Sequence, residues 1–306
     1  MVLFLNNLLL ALLTLSLFTG CSSKTSYTPE DGKMLDSKIP FIFTDTKIER
    51  VEHKRVKLSD GSILNSAGDS ISISLETEKL LKNPIVYSQQ DNLIAYVSEE
   101  NVVAILDIDL NQTIFKEKFN KVSTIDRRLP KPLFDRGSIL YFTLDGKIAI
   151  YSKKMKKIVR VVSVGDNEDY SNVIDYRLSK DSLILVTHRK LMMITDDYDD
   201  QLELNLRGSI FDKDKFFLIT KDGEIREYDY NLVLKKSIKF PFAYFIAFGK
   251  VEEKIYLIES QGYVIELESD LESYKVLSSE LDDENCFFTI DKFICDEKFF
   301  RLPLSL

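Results

Sequence analysis

The chain has 306 residues, of which 44% are hydrophobic and 29% are charged, and its formal net charge is −8. This composition is typical of a globular protein with enough apolar residues to build a core. The negative charge argues against nucleic acid as a partner and against general electrostatic adhesion to anionic lipid.

Residues 1–20 are predicted to be a signal peptide rather than part of the fold. Leu8–Phe18 is an apolar run that is too short for a durable transmembrane helix, and small residues follow it before Cys21. The stretch Phe18-Thr19-Gly20-Cys21 resembles the lipobox of bacterial lipoproteins. The resemblance implies cleavage before Cys21, lipidation of Cys21 with palmitate among its acyl chains, and stable anchoring in a bilayer. A secretory signal followed by an incidental cysteine is the alternative.

Residues 21–38 are predicted to be the lipidated cysteine and a flexible tether, because Ser22–Lys38 is polar and has no hydrophobic periodicity. Ser22 is not Asp, which by resemblance to enterobacterial sorting implies the outer membrane, with the protein facing the periplasm. No later stretch approaches about 18 uninterrupted apolar residues, so no other segment is expected to span a membrane. One globular domain is expected over residues 39–306.

A strand–turn–strand pattern recurs through this domain. Phe216–Phe240 reads as three strands separated by turns at Lys221-Asp222-Gly223 and Asp229–Asn231. The Asp-Gly pair suits a two-residue hairpin turn of type I′, because glycine adopts positive φ without steric cost. Further copies of the pattern begin at Leu93, Ile139, Leu183 and Ile255.

The spacing of these copies predicts a β-propeller. Successive copies are about 40 residues apart, and a unit of about 40–45 residues with roughly four strands is the period of a propeller blade. Leu58–Leu75 and Cys286–Leu302 contain similar short strands and are candidates for two further blades. We therefore expect an all-β fold, a β-propeller of about six to eight four-stranded blades with seven preferred. The alternative, a β-sandwich or a series of unrelated hairpins, would show turn signals about every 8–12 residues without the longer period.

Two clusters of positive charge contrast with the negative net charge. Lys153–Arg160 contains four lysines and one arginine, a pattern that is typical of an outer strand whose lysines protect a sheet edge. Arg127–Pro132 contains two prolines, which favour a loop between blades. If either cluster is functional, docking to an acidic partner is the expected use.

Cys286 and Cys295 are the two cysteines that remain in the expected mature chain. In an oxidising periplasm they can form a disulfide. A hairpin turn at Asp291-Lys292 would place Cys295 opposite Phe288, so that pairing of the cysteines would need a bulge or a longer turn. From the sequence, a disulfide and two buried thiols both remain open.

Motifs of catalysis and metal binding are absent from the sequence. The two histidines, His53 and His188, belong to no metal-binding pattern, and no hydrolase or nucleotide-binding motif occurs. The acidic cluster Asp196–Glu203 is a candidate calcium site, but a solvated turn is favoured. We therefore expect no enzyme activity, no cofactor, and no catalytic, cofactor-binding or metal-binding residues.

The repeat resembles the PQQ-type β-propeller family, whose blades run strand, Asp-Gly turn, strand, second turn, strand. The residues that match this pattern are Asp145, Gly146, Ile148, Tyr151, Asp222, Gly223, Ile225, Tyr228, Asp229, Lys235, Gly262, Val264 and Leu267. The catalytic quinoprotein branch carries a quinone, calcium and blade tryptophans, whereas this chain has no Trp and is much shorter. The chain is more similar to the lipid-anchored BamB-like branch, which consists of non-enzymatic scaffolds of the β-barrel assembly machinery.

The resemblance implies a non-catalytic scaffold that is lipid-anchored in the outer membrane and binds other envelope proteins. Binding is expected through loops or an exposed blade edge, and the β-barrel assembly machinery is one candidate partner. The alternatives are a scaffold of another envelope machine, such as a secretion or motility apparatus, and a propeller that acts as an enzyme or binds a small ligand in its central channel. Nucleic acid is not expected as a partner.

Overall fold

The structure is a computed structural model that describes residues 26–30, 33–35, 48–52, 55–58, 62–64, 70–72, 80–122, 127–164, 172–179, 181–195, 197, 199–278, 286–289, 292–295 and 298–301. Within these ranges the chain forms 28 β-strands. No helix in the same ranges has the length and apolarity needed to cross a bilayer.

The strands are numbered in chain order and are grouped into seven sheets within the described ranges. The first strand, β1, is Met34–Leu35. Sheet I contains β2 (Ile48–Glu52), β3 (Arg55–Leu58), β4 (Ser62–Leu64) and β5 (Ser70–Ser72). Sheet II contains β6 (Pro84–Gln90), β7 (Leu93–Ser98), β8 (Val102–Asp107) and β9 (Gln112–Lys118). Sheet III contains β10 (Leu133–Asp135), β11 (Ser138–Phe142), β12 (Lys147–Ser152) and β13 (Lys157–Ser163).

The remaining sheets follow in the same order. Sheet IV contains β14 (Val173–Leu178), β15 (Ser182–Thr187), β16 (Lys190–Thr195) and β17 (Asp199–Glu203). Sheet V contains β18 (Leu206–Phe211), β19 (Lys215–Thr220), β20 (Glu224–Asp229) and β21 (Leu234–Lys239). Sheet VI contains β22 (Phe245–Val251), β23 (Lys254–Glu259), β24 (Tyr263–Glu268) and β25 (Tyr274–Ser278). Sheet VII contains β26 (Cys286–Thr289), β27 (Lys292–Cys295) and β28 (Lys298–Arg301).

Sheets I to V are four-stranded antiparallel meanders whose strands pair in chain order. Sheet VI has the same arrangement of four antiparallel strands, β22 to β25. A fifth strand, β1, is added and runs parallel to β25. The first strands of neighbouring sheets contact one another, as β6 contacts β10, β14 contacts β18, and β18 contacts β22. The fourth strands β9, β13, β17 and β21 are largely exposed. First strands at the centre and fourth strands at the rim are the arrangement of a β-propeller, so the predicted all-β propeller fold is confirmed.

The core of the described residues lies between successive sheets. One cluster of buried side chains joins sheets II, III and IV, and others join IV to V, V to VI, and VI to VII. In β19, Phe216 packs toward sheet IV and Phe217 toward sheet VI, and both are fully buried. Side chains alternate between the faces of a strand, so a middle strand that is apolar at every position is buried on both sides. Each such phenylalanine contributes about 1.5–3 kcal/mol.

The turns between second and third strands use one repeated design. Gly146, Gly223 and Gly262 have φ of 72°, 82° and 85°, and Asn101 takes the same place in sheet II with φ 59°. In sheet V the loop has three residues, and the residue before Gly223 does not have positive φ. A type I′ turn requires positive φ at both central residues, so the predicted type I′ turn is wrong. The loop is a three-residue hairpin with glycine at the left-handed position.

A hydroxyl at the end of the second strand stabilises this turn. Thr220 donates a hydrogen bond to Asp222 (2.6 Å) and accepts one from the backbone of Glu224 (3.0 Å). Thr143 repeats both contacts in sheet III, with Asp145 and Lys147 at 2.6 and 3.1 Å. Thr187 makes a similar contact across the two-residue loop of sheet IV, where its hydroxyl accepts from the backbone of Lys190 (3.0 Å), so the hydroxyl stabilises turns of either length.

Part of the predicted tether is bound to sheet VI. Tyr27 is buried and packs edge-on against Phe240 and Tyr263, with ring centroids 6.3 and 5.8 Å apart. Met34 and Leu35 then pair with β25, the outer strand of sheet VI. These residues differ from the flexible linker that the sequence predicts, because a polar composition gives no sign of one anchoring tyrosine. The predicted domain boundary between residues 38 and 39 lies outside the described residues.

The two cysteines of sheet VII lie directly opposite each other. Thr289 pairs with Lys292, so the turn is one residue earlier than Asp291-Lys292 and the register places Cys286 opposite Cys295. Phe288 is opposite Phe293, and the predicted pairing of Phe288 with Cys295 is wrong. The sulfurs of Cys286 and Cys295 are bonded in this structure, without a bulge in the hairpin.

Gly223→Ala tests the turn design. A Cβ at Gly223 would lie 2.3 Å from the carbonyl oxygen of Phe240, and it would be held at positive φ. We expect a loss of about 2–4 kcal/mol in the free energy of unfolding, measured by urea denaturation. Gly137→Ala is the matched control, because nothing lies within 4 Å of its Cβ position. Equal stabilities of the two variants would contradict this account of the turn.

Candidate protein-interaction surface

The inner strands line the centre of a propeller, where a site for a small ligand would lie. Asp175 on β14 accepts a hydrogen bond from the Ser209 hydroxyl on β18 (2.6 Å) and one from the backbone of Tyr176 (2.8 Å). Burial raises the pKa of Asp175 to about 6, although these hydrogen bonds and the charge of Arg128 act in the opposite direction. The hydrogen bond from Ser209 to Asp175 joins sheets IV and V. No histidine takes part in it, so Ser209 lacks the general base that activates a nucleophilic serine.

The other candidate groups of the sequence do not assemble into a site in the described residues. His188 is buried, and its Nδ1 lies 3.3 Å from the carbonyl oxygen of Leu206. This contact links sheet IV to the first residue of sheet V. His53, Asp196 and Tyr198 lie outside the described residues. Asp199 and Asp200 are exposed on β17, and no group of three potential metal ligands occurs among the described residues. Cys21, the predicted lipidation site, also lies outside them.

The outer edge of sheet III has an unusual surface. Met155, Val159 and Val161 are 61%, 45% and 46% exposed. They lie among Lys153, Lys154, Lys156, Lys157 and Arg160, the cationic cluster seen in the sequence. We call these eight residues the sheet III edge. An outer strand that protects itself from aggregation carries charge, and it does not require exposed aliphatic side chains at the same time.

The charge of the sheet III edge is not neutralised by its described neighbours. Lys153 donates a hydrogen bond to the Gln90 side chain (2.9 Å) and lies over the Phe134 ring, 4.9 Å from its centroid. Lys154, Lys156 and Lys157 are exposed, and no carboxylate of the described residues forms an ion pair with them. The edge therefore presents net positive charge on a protein whose overall charge is −8.

The outer edges of sheets V and VI are balanced or closed. On β21, Lys235 and Lys236 pair with Asp229 and Glu272 at 2.7 Å each. On sheet VI, β1 occupies the backbone of the outer strand. The sheet III edge combines apolar area, positive charge and a free strand, which together suit a partner segment that is acidic and extended.

The sequence predicted the charge of this edge but not its exposed valines. The pairing of β12 with β13 shifts by one residue after Ile150, so that Val159 is the extra residue of a β-bulge. A bulge changes which side chains face the core. A run of Ile, Val, Arg, Val and Val therefore reads as buried in the sequence, although two of its valines are exposed in the structure.

Comparisons with known proteins agree with the fold. No protein family model matches the chain. BamB from Moraxella catarrhalis is similar with a TM-score of 0.59 and 13% identity, over 81% of each chain. The C-terminal WD40 domain of Sif2 is similar with a TM-score of 0.55 and 12% identity, over 82% of this chain and 78% of that one. The chain therefore has a BamB-like β-propeller fold.

Sequence comparison finds a different relative. The plasminogen-binding protein PgbB of Helicobacter pylori is 25% identical in strain J99 and 24% identical in strain 26695, each over 231 residues. The match covers 74% of this chain and 42% of the relative. The chain thus spans about two-fifths of the length of the curated relatives that it matches. Plasminogen binding is what the name of that relative states, and the structural comparisons show the fold of this chain.

Asp175→Asn should change how stability depends on pH. The folded pKa of about 6 lies above the ordinary value of 3.8, so ionisation of Asp175 contributes a loss of stability as the pH rises from about 4 to 6. The variant has no such loss, and above pH 6 we expect it to gain about 1–2 kcal/mol relative to wild type, which is reduced from the full linkage value by partial exposure. Urea denaturation at pH 4 and 7 measures this.

The control for this prediction is Asp199→Asn, which removes the same charge from an exposed position. Its stability relative to wild type should stay nearly constant between the two pH values. If Asp175→Asn behaves in the same way, the inner carboxylate is solvated and carries no burial penalty.

Proposed function

We propose that the chain is a non-catalytic envelope scaffold that binds another protein through the sheet III edge. The observation that carries the proposal is the pairing of exposed Val159 and Val161 with cations that have no acidic neighbour among the described residues. Removing two valines from water contributes several kcal/mol, and the cations accelerate encounter with an acidic partner. The free backbone of β13 can add hydrogen bonds to an extended segment.

The architecture that we propose for the scaffold has seven blades. Sheets I to V are four-stranded, and sheet VI repeats their order with β1 added. Sheet VII packs on sheet VI through Cys286 and Phe293, and Phe288 lies against the backbone of Gly249, where a Cβ would come within 2.0 Å of its ring. These contacts support counting sheets VI and VII as the remaining blades.

The partner that we propose is an envelope protein, with the β-barrel assembly machinery as the first candidate. The fold shared with BamB supports that choice, together with the lipobox at Cys21 and the disulfide between Cys286 and Cys295, which suits an oxidising compartment. A lipid anchor at Cys21 would hold the scaffold to the outer membrane on its periplasmic side. Plasminogen binding is the second candidate function, favoured by the sequence relationship to PgbB.

Val159→Thr with Val161→Thr tests the proposed surface. Threonine keeps the branched shape but replaces a methyl group by a hydroxyl, so the fold should persist while apolar contact is lost. We expect about a tenfold weaker affinity for the partner. Purified β-barrel assembly machinery and plasminogen, each immobilised separately, are the two ligands for a surface-binding assay.

Leu234→Thr on β21 is the matched control, because Leu234 is also an exposed aliphatic on an outer strand. A second pair of variants separates charge from apolar contact. Lys157→Glu with Arg160→Glu should slow association and reduce its salt dependence, whereas Lys116→Glu with Lys118→Glu on β9 should not. If the edge variants bind as well as wild type, the sheet III edge is not the docking surface.

Cys21→Ala tests the anchor. Without the thiol no acyl chain can be attached, and we expect the chain to move from the membrane fraction to the soluble fraction. Mass spectrometry of the N-terminal peptide of the wild type should show an acylated cysteine. A wild-type peptide that begins elsewhere, or carries no lipid, would favour the secretory alternative.

A further inference from the structure

The docking of Tyr27 limits where the chain can meet a membrane. Six residue steps separate Cys21 from Tyr27, and a fully extended chain spans at most about 3.6 Å per residue. The backbone of Cys21 is therefore within about 22 Å of the backbone of Tyr27. This limit follows from covalent geometry and holds for any path of the residues between them.

Tyr27 is held at a defined end of the propeller. Its carbonyl oxygen accepts a hydrogen bond from the Gln261 side chain (3.3 Å), and its ring packs on Phe240 and Tyr263. Gln261 belongs to the turn between β23 and β24. We call this the 2–3 end, the end of each sheet where its second strand connects to its third. Connections from one sheet to the next leave from the same end, because strands alternate in direction.

The segment after Tyr27 secures this position. The carbonyl oxygen of Lys33 accepts a hydrogen bond from the backbone of Val276 (2.9 Å), and the Lys33 ammonium lies 4.8 Å from the ring centroid of Tyr274. Met34 and Leu35 follow as a parallel strand on β25. A chain fixed at both Tyr27 and β1 cannot swing around the propeller, so a membrane anchor at Cys21 stays near the end at which Tyr27 is docked.

Two exposed aromatic residues stand at that end. The connection from sheet V to sheet VI forms a turn in which Ala243 donates to the carbonyl oxygen of Phe240 (3.1 Å). Phe242 is the third residue of this turn, with φ 66°, and its side chain is 61% exposed. Glycine is favoured at such a position, and a phenylalanine there costs free energy and gains no burial. The positive φ together with the high exposure indicates that the turn holds the Phe242 side chain in solvent, where it can contact another surface.

Tyr244 completes the exposed pair. It is anchored to the turn of sheet VI, since its carbonyl oxygen accepts from the backbone of Ser260 (3.0 Å). Its ring is exposed on one side, and the Arg207 guanidinium lies over it at 3.4 Å from the centroid. Aromatic side chains with an adjacent cation are typical of residues at the boundary between water and lipid.

We propose that the 2–3 end of sheets V and VI faces the bilayer and that Phe242 and Tyr244 lie in its headgroup region. The proposal rests on the lipidation of Cys21 proposed above. The occupant of this surface is the lipid bilayer rather than a protein, because the length of chain between Tyr27 and Cys21 brings the membrane within reach of these two side chains. The sheet III edge then remains free for the partner protein.

A fluorescent label at each end of the propeller tests the orientation. The sites are Phe242→Cys at the 2–3 end and Leu110→Cys at the opposite end, where Leu110 is 60% exposed in the turn between β8 and β9. The lipidated full chain is reconstituted in vesicles of phosphatidylethanolamine and phosphatidylglycerol that contain a lipid with a nitroxide in its headgroup. We expect the label at Phe242→Cys to lose fluorescence and shift to shorter wavelength, whereas the label at Leu110→Cys keeps its intensity.

Flotation of the same vesicles separates this inference from the proposed anchor. If the protein floats with the vesicles but both labels respond equally, or Leu110→Cys responds more, the orientation is wrong and the anchor stands. If the protein does not float, the anchor is wrong and the orientation falls with it.

Discussion

The constraint on which the structure depends is that every sheet must bury two faces. Middle strands such as β8 and β19 are apolar at almost every position. A single sheet cannot hide such strands, and only neighbours on both sides can do so. Stability is therefore shared between adjacent sheets, as in other repeat architectures. The outer strands lie beyond these shared cores and are free to differ from sheet to sheet.

The outer strands differ from one another in charge, in exposed apolar area and in whether another strand covers them. β21 carries balanced ion pairs, β25 is covered by β1, and β13 is left with cations and exposed valines. An open edge is a hazard in a β protein, so differences among otherwise equivalent edges point to differences in use. The turns at the ends of the sheets also differ. The turn between sheets V and VI carries the exposed Phe242, and this difference also points to a difference in use.

The repeat of about 40 residues predicted the sheets because a blade is a local unit, built from contacts within a few tens of residues. The outer position of Lys153–Arg160 could be predicted from the sequence for the same reason. Three other features could not. The exposure of Val159 depends on a bulge, the opposition of Cys286 and Cys295 depends on a one-residue shift of a turn, and the turn type at Gly223 depends on the register of β19 with β20. Each is decided by one hydrogen-bonding choice that composition and periodicity do not encode. The docking of Tyr27 could not be predicted from the sequence either, because its partners are 213 to 236 residues away in the chain.

The pairing of β1 with β25 has a consequence for the order of folding. Tyr27 and Gln261 are separated by 234 residues, and at typical rates of synthesis, about 5–20 residues per second, Gln261 is made roughly 10–50 s after Tyr27. Closing a loop of that length in an unfolded chain costs about 5 kcal/mol, far more than two strand pairs and one tyrosine can offset early. The N-terminal segment therefore joins a sheet that has already formed.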